Sequence, residues 1–349
     1  MLERPDIQDE RIIQRLRDDY GLPVAQLIFL PLGADINTAV YRVVSLTGEA
    51  YFLKLRKHVF TEISVAVPQF LSKQGITNII APLDTICGPG WTVLDEYTMV
   101  LYPFIEGNDG YEIGLSDSQW LDFGAAIGTI HRTQLAPEWA SRIPREQFSS
   151  RGRETAKRFQ MQVKNTSYVD TTAATVAAFM HKKQDEITYI VDRASELAKA
   201  LQTQPLDYVL CHADIHPGNI LIQTTDVWDD HHFFIVDWDN PIFAPKECDL
   251  TLIGGCSSWN NPDQIAQFYR GYFGVQETQQ SGINLMALTY YRFERIVQDI
   301  AAFCDQILST DEGREDREQG LAYFTHSFLP GQVVALAFNT DRLFQNDVS

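Results

Sequence analysis

Tyr208-Val209-Leu210-Cys211-His212-Ala213-Asp214-Ile215-His216-Pro217-Gly218-Asn219-Ile220-Leu221-Ile222, followed after a turn by Phe233-Phe234-Ile235-Val236-Asp237-Trp238-Asp239, decides how the chain is read. Two apolar runs, 208–211 and 219–223, flank a polar loop, and a third, 233–236, ends on an acid. Short apolar runs beside turn residues read as strands, so the polar residues fall on loops at strand ends. Pro217 and Gly218 force a turn between Asp214 and Asn219. That turn lets a carboxylate and an amide point into one pocket. Asp237 joins them if the strand at 233–236 pairs with the one at 219–223.

The resulting set holds one carboxylate able to accept a proton, an amide oxygen and a second carboxylate. Oxygen ligands of this kind suit Mg²⁺, which takes few protein ligands and shares its shell with phosphates. Phosphoryl transfer uses such a set. Asp-x₄-Asn followed by a strand-borne Asp is the spacing of a kinase catalytic loop and its metal-binding Asp. Here the elements read His-Ala-Asp and Val-Asp-Trp-Asp, where protein kinases have His-Arg-Asp and Asp-Phe-Gly. An ordinary hairpin with polar turns needs no such triad. In the form His-x-Asp-x₄-Asn plus Ile-Val-Asp-Trp-Asp, the stretch resembles the aminoglycoside phosphotransferase and choline kinase superfamily.

The resemblance implies an α+β, bilobal, protein-kinase-like fold, with a small β-rich N-lobe and a larger, mainly helical C-lobe. The expected division is 1–104 for the nucleotide and 105–349 for the catalytic loop and acceptor. ATP and Mg²⁺ are the implied cofactors. Asp214 is the implied base, and Asn219 and Asp237 the implied metal ligands.

The 349 residues, 45% hydrophobic, suffice for two domains or one bilobal one with a packed core. A net charge of −18 argues against a nucleic-acid partner, which requires clustered Lys and Arg. It suits a cationic substrate, although many proteins are acidic. Cys87, Cys211, Cys248, Cys256 and Cys304 are odd in number and show no CxxC spacing, so neither a disulfide framework nor a zinc site is expected. No signal peptide or membrane span is read, and the expected compartment is the cytoplasm. Monomer and homodimer both stay open.

Along the N-terminal third, residues 6–19 read as an amphipathic helix and 24–30 as a strand. Gly33, Asp35 and Asn37 lie on a small-residue loop between two strands, of the kind that covers phosphates with backbone N–H groups. It is not a GxGxxG loop, and taken alone, before Lys54 is considered, a plain hairpin is the favoured reading. Lys54 is a lone cation in an alternating apolar strand that starts at Ala50. A solvent-facing Lys is one reading of it. The resemblance instead implies a lysine on the α/β-phosphates, held by a helix glutamate, for which Glu62 is the nearest candidate. Thr61–Gln74 reads as that helix, with Pro68 awkward in its middle. Residues 78–86 and 91–95 read as strands. The resemblance places the adenine edge against the backbone of Pro103 and Ile105, where an apolar strand runs into a Pro/Gly loop.

Residues 120–133 read as a helix closed by His131, a cap or core residue. Residues 134–206 read as mostly helical, shaping an acceptor pocket or forming a plain bundle. Asp229-Asp230-His231-His232 reads as an exposed turn, since neighbouring residues at a strand end point opposite ways. Asp249 is read as opening a helix, and the resemblance makes it a brace beneath the catalytic loop. Helices are expected at 262–273 and 285–307, and over part of 318–340.

Within the superfamily, Gly33–Asn37, Ile235–Pro241, Ala244–Leu250 and Tyr290–Val297 resemble the spectinomycin phosphotransferase type. That implies ATP-dependent phosphorylation of a hydroxyl on a small cationic aminocyclitol. Asp239, Glu247, Glu294 and Asp299 are candidate carboxylates for such an acceptor. Trp238, Trp259, Tyr290 and Tyr291 are candidate cation–π faces, with surface or core packing as the rival reading for each. A kinase of choline, a methylthio-sugar or another natural product is the alternative enzyme. A nucleotide-binding pseudokinase acting as an interaction module is the alternative outside enzymes, and the retained Asp214 speaks against it.

Overall fold

The structure is a computed structural model that describes residues 3–33, 35, 37–57, 60–135, 137–224, 232–274 and 282–348. The chain begins with α1 (Asp9–Tyr20), β1 (Val24–Leu30), β2 (Thr38–Ser45), β3 (Ala50–Lys57) and α2 (Ile63–Lys73). Next come β4 (Thr92–Leu94), β5 (Tyr97–Pro103), β6 (Gly107–Asp109), α3 (Asp117–Arg132) and α4 (Pro137–Ala140). A helical stretch follows, with α5 (Arg151–Asn165), α6 (Thr171–Lys182) and α7 (Gln184–Leu201). Four short strands come after it: β7 (Val209–Cys211), β8 (Ile220–Gln223), β9 (Phe233–Ile235) and β10 (Ile242–Ala244). The chain ends in α8 (Pro262–Phe273), α9 (Leu285–Leu308), α10 (Arg314–Ser327) and α11 (Val333–Val348). An antiparallel β N-terminal region and a mainly helical C-terminal part make this the expected α+β class. Among the described residues no helix is long and apolar enough to cross a membrane.

Two compact units result, and a single cut at residue 104 does not separate them. One comprises Met1–Leu115, Leu135–Ile143 and His216–Pro241, so β8 and β9 group with the N-terminal strands. The other comprises Ser116–Gln134, Pro144–Ile215 and Ile242–Ser349.

In the first unit the described residues form a five-stranded sheet, β1-β2-β3-β5-β4. Ile12 and Leu16, one turn apart on α1, pack with Ala39, Tyr41 and Val43 of β2, Leu53 and Leu55 of β3, and Met99 and Leu101 of β5. The period of two along each strand puts these side chains on one face. The helix stops at Gly21, whose φ of 64° lets its N–H reach the Arg17 carbonyl, while Leu22 N–H reaches Leu16. Since Leu53 and Leu55 face α1, Lys54 must face the opposite side of the sheet, in register with Val40 and Val100.

Two local expectations change. Pro68 lies inside α2 without breaking it; it removes one backbone hydrogen bond, but Ile63, Val65, Val67 and Leu71 are buried around it. The strand expected over 78–86 reduces to a parallel bridge of Ile79 with Ile235, tied by Ile235 N–H to Asn78 O at 2.8 Å. That bridge anchors β9 in the three-stranded sheet β6-β8-β9.

In the second unit α9 packs against α5, α7, α10 and α11. Its buried stripe includes Phe293, Ile296, Val297 and Ile300. Helices α3 and α8 meet almost backbone to backbone, because a Cβ at Gly124 would lie 1.9 Å from the Phe268 carbonyl oxygen. Strands β7 and β10 pair antiparallel. Asp249 does not open a helix, contrary to expectation: it ends a 3-10 turn, Lys246–Cys248, and the chain continues in turns. Its carboxylate is engaged elsewhere, as described next.

Candidate active site

Strand register assembles the first group of site residues, all in the first unit. Ile220 pairs with Ile235, and Val236 N–H donates to the Asn219 carbonyl at 3.0 Å. Asn219 and Asp237 therefore sit at the same end of the β8–β9 pair. Asn219 ends a 3-10 turn capped by His216, whose Nδ1 accepts from Gly218 N–H at 3.1 Å. His216 is thus a loop-shaping residue. Asp237 has φ 68°, a left-handed conformation uncommon outside glycine. Its side chain remains 42% exposed. Such strained residues concentrate at functional sites. One carboxylate and one amide are hard oxygen donors, the set that suits Mg²⁺ when phosphates complete its shell.

Lys54 reaches this group. Its Nζ lies 2.7 Å from Asp237 Oδ1 and 2.7 Å from Asp239 Oδ2, and Arg56 Nε is 3.3 Å from the same Asp239 oxygen. Burial alone would push the ammonium down, but the charges of Asp237 and Asp239 more than offset it and hold Lys54 above its usual range. Burial pushes the Asp239 carboxyl up, against the pull of Lys54. Glu62 is not the partner of Lys54: it immediately precedes α2 and pairs with Arg142, about half exposed. Asp35 orders its own loop, accepting from Asn37 N–H at 2.9 Å and Thr38 Oγ1 at 2.6 Å. Asn37 N–H is thereby engaged within the loop, and Gly33 turns there with φ 85°. Ala34 and Ile36 lie outside the described residues, as do Asp229, Asp230 and His231. Pro103 pairs with Tyr51 at the end of β5, and Phe104 N–H bonds Ala50 O just before Ile105.

The second group lies in the other unit. Asp249 is 1% exposed and accepts from His212 N–H at 2.9 Å and from Ala213 N–H at 2.7 Å. His131 Nε2 lies 3.0 Å from Asp249, and its Nδ1 lies 2.7 Å from the Tyr272 hydroxyl. Ala213, like Asp237, has a positive φ, 73°. The residue before Asp214 is therefore held in a strained conformation by a buried carboxylate. Asp214 N–H donates to His212 Nδ1 at 3.2 Å. The Asp214 side chain is 44% exposed and bonded by Arg295. His131, Cys211 and Asp249 each bring one possible metal-ligand atom within 4.8 Å of the others. Since both Asp249 oxygens accept from backbone amides, this cluster is a hydrogen-bonded core.

Most of the acceptor candidates are otherwise engaged. Trp259 is 3% exposed and packs on Trp120 and Phe123, so it offers no open ring face. Tyr291 is buried as well, and Trp238 is buried with its indole N–H on Ile235 O. Glu247 is buried and accepts from Asn284 N–H at the start of α9. Asp239 belongs to Lys54 and Arg56, and Asp299 to Arg295 at 3.1 Å. Glu294 is bonded by Arg153, which also reaches the Tyr290 hydroxyl. Tyr290 is 1% exposed, so it too presents no open face. Burial pushes the Glu294 carboxyl up to about 7, with Arg153 opposing. Tyr290 and Glu294 nevertheless border a cleft of about 660 Å³ whose wall includes Glu146, Arg151, Arg158, Gln298 and Asp305.

Arg295 is a site neighbour that the sequence reading misses. Its only sequence signal is Asp299 four residues later on the same helix.

The family model described as "Phosphotransferase enzyme family" matches residues 28–281. No curated protein sequence matches. Among solved structures, a spectinomycin phosphotransferase in complex with ADP and spectinomycin is similar over 97% of this chain and 99% of that one, at 33% identity and TM-score 0.85. An AMP-bound complex of a spectinomycin phosphotransferase is similar at 31% identity and TM-score 0.80, over 94% and 98% of the two chains. An amicoumacin kinase bound to AMP-PNP and Ca²⁺ shares the fold, at 16% identity and TM-score 0.59, over 92% and 93%.

Proposed function

Since the chain belongs to the phosphotransferase enzyme family, we propose that this small-molecule phosphotransferase transfers the γ-phosphoryl group of ATP to a hydroxyl of a compact cationic aminocyclitol, spectinomycin. The observation that carries the substrate is likeness along the whole chain, 33% identity over 97% of it, to a spectinomycin phosphotransferase. A net charge of −18 suits a cationic acceptor.

In this reading residues 1–104 with the β8–β9 pair serve the nucleotide, the Gly33–Asn37 loop and the Pro103–Ile105 backbone lying against it. Lys54 binds its phosphates, and Asn219 and Asp237 hold Mg²⁺, which supplies charge neutralisation there. Asp214 orients the acceptor hydroxyl and takes its proton. The hydroxyl oxygen forms the new P–O bond, the bond from the γ-phosphorus to the bridging oxygen breaks, and ADP leaves with that electron pair. Lys54 must then exchange a carboxylate for a phosphate when the nucleotide binds. Asp239 and Arg56 would keep the local charge balanced during the exchange. A nucleotide-dependent reaction of this kind suits the cytoplasm.

The test is phosphate transfer from labelled ATP to spectinomycin, choline and kanamycin, with growth on spectinomycin of a bacterium expressing the protein as second readout. Transfer to spectinomycin, with little to the other two, is expected. Transfer to another alcohol at much higher kcat/KM, with none to spectinomycin, would retain the phosphotransferase and reject the substrate.

A further inference from the structure

We propose that Arg295, pinned by Asp299, is the positioning residue that sets Asp214 for proton acceptance; this rests on the reading of Asp214 just given. Arg295 Nη1 donates to Asp214 Oδ1 at 2.5 Å across 81 residues of sequence, and its Nε donates to Asp299 Oδ1 at 3.1 Å. Arg295 and Asp299 are one turn apart on α9, between the buried Ile296, Val297 and Ile300. The guanidinium is therefore fixed along one edge by its own helix and offers the other to the carboxylate. A planar fork holds a carboxylate in one orientation, which a flexible ammonium does not.

Both ends of Asp214 are then set. Asp249 holds the backbone before it through the amides of His212 and Ala213, and Arg295 holds its side chain. Burial pushes the Asp299 carboxyl up, and the charge of Arg295 opposes this. Arg295 stays protonated throughout. It neither gives nor takes the proton, and acts only through Asp214.

Among the described residues, the charged and titratable groups around Asp214 include Arg295 and Asp299 from α9, Cys248 from the turn after β10, and His212 in its own loop, whose amide is bonded by Asp249. Without Arg295 the carboxylates dominate this set. Proton uptake by Asp214 then becomes easier, and orientation is lost.

The test uses the full chain with Arg295→Met, Arg295→Lys and Asp299→Asn. ATP turnover is followed across pH with spectinomycin and, separately, with water as acceptor. For Arg295→Met, kcat should fall roughly 10–100-fold at pH 8 with KM for ATP within about twofold. The acidic limb of the profile should move up by about one pH unit. Arg295→Lys should restore the limb and only part of kcat, and Asp299→Asn should show a smaller loss of kcat. An unchanged limb and kcat in Arg295→Met would overturn the proposal, as would a rise in KM for ATP in step with the loss. If Arg295→Met fails to fold, Arg295→Lys decides by the same split between limb and kcat. Asp214→Asn separates the two claims. Full turnover there rejects the underlying reading, whereas an inactive Asp214→Asn beside a normal Arg295→Met rejects only the role of Arg295.

Discussion

Lys54 Nζ lies 2.7 Å from Asp237 Oδ1, joining a strand of the N-terminal sheet to a residue 183 positions later. The charges of Asp237 and Asp239 hold Lys54 above its usual range before any ligand arrives. A metal coordinated by Asp237 must share or displace that ammonium. Asp237→Ala is therefore expected to abolish the Mg²⁺ dependence of ATP affinity as well as turnover, because in the proposed reaction it removes the metal's carboxylate. A Mg²⁺ titration of ATP binding, mutant against parent, reads this. Unchanged dependence would place the metal ligand elsewhere.

Asp214→Ala should lower transfer on the order of 10²–10⁴-fold, the usual effect of losing a positioned base. ATP affinity should remain, since in the proposed reaction the nucleotide does not rely on this side chain. Equilibrium nucleotide binding beside steady-state turnover checks both halves. Near-normal turnover would rule the assignment out.

Asp249→Ala should cost about 3 kcal/mol or more of stability, because the amides of His212 and Ala213 and the ring of His131 lose a buried charged acceptor. Denaturant unfolding measures this. With nothing left to hold Ala213 at positive φ, kcat should fall more than affinity for ATP. A variant as stable and active as the parent would show that the loop holds itself.

Glu294 should leave a mark on the pH dependence of stability. Its folded value, about 7, lies above the ordinary 4.5, so the folded state binds this proton more tightly than the unfolded state. Stability from this group is present below about pH 4.5 and is lost as pH rises through about 7. Denaturation midpoints of Glu294→Gln should vary less between these limits than those of the parent. Equal slopes would mean that Arg153 keeps Glu294 ionised throughout.

Much of the candidate site is legible in the chain because its residues lie on short, local elements. Asn219 and Asp237 are placed at one end of a single strand pairing, and Asp214 comes before the Pro-Gly turn that leads into it, all local in sequence. Lys54 could be read from its place in an alternating strand, but its partners could not. Glu62 was nearest in sequence, yet the carboxylates that meet Lys54 follow from β9 being anchored at Asn78 and Ile79, a contact with no local signature. Trp259 and Tyr290 illustrate a second gap. An aromatic residue looks the same in a sequence whether its ring faces a ligand or a core, and here both are buried. Arg295 was hidden because an arginine with an aspartate four residues on is an ordinary helix-surface pattern, and Asp214 comes to it only through tertiary packing.

The wide separation of Lys54 from its counter-charges also bears on how the protein is made. A ribosome releases β3 long before Asp237 and Asp239 exist. An ammonium buried without a partner is strongly disfavoured, so the face of the sheet that carries Lys54 has to stay hydrated while the nascent chain grows past α7. Only the α1 face can condense early. The sheet is thus finished from its two sides at different times, the Lys54 side last, when residues 232–241 have emerged and β9 docks on Asn78.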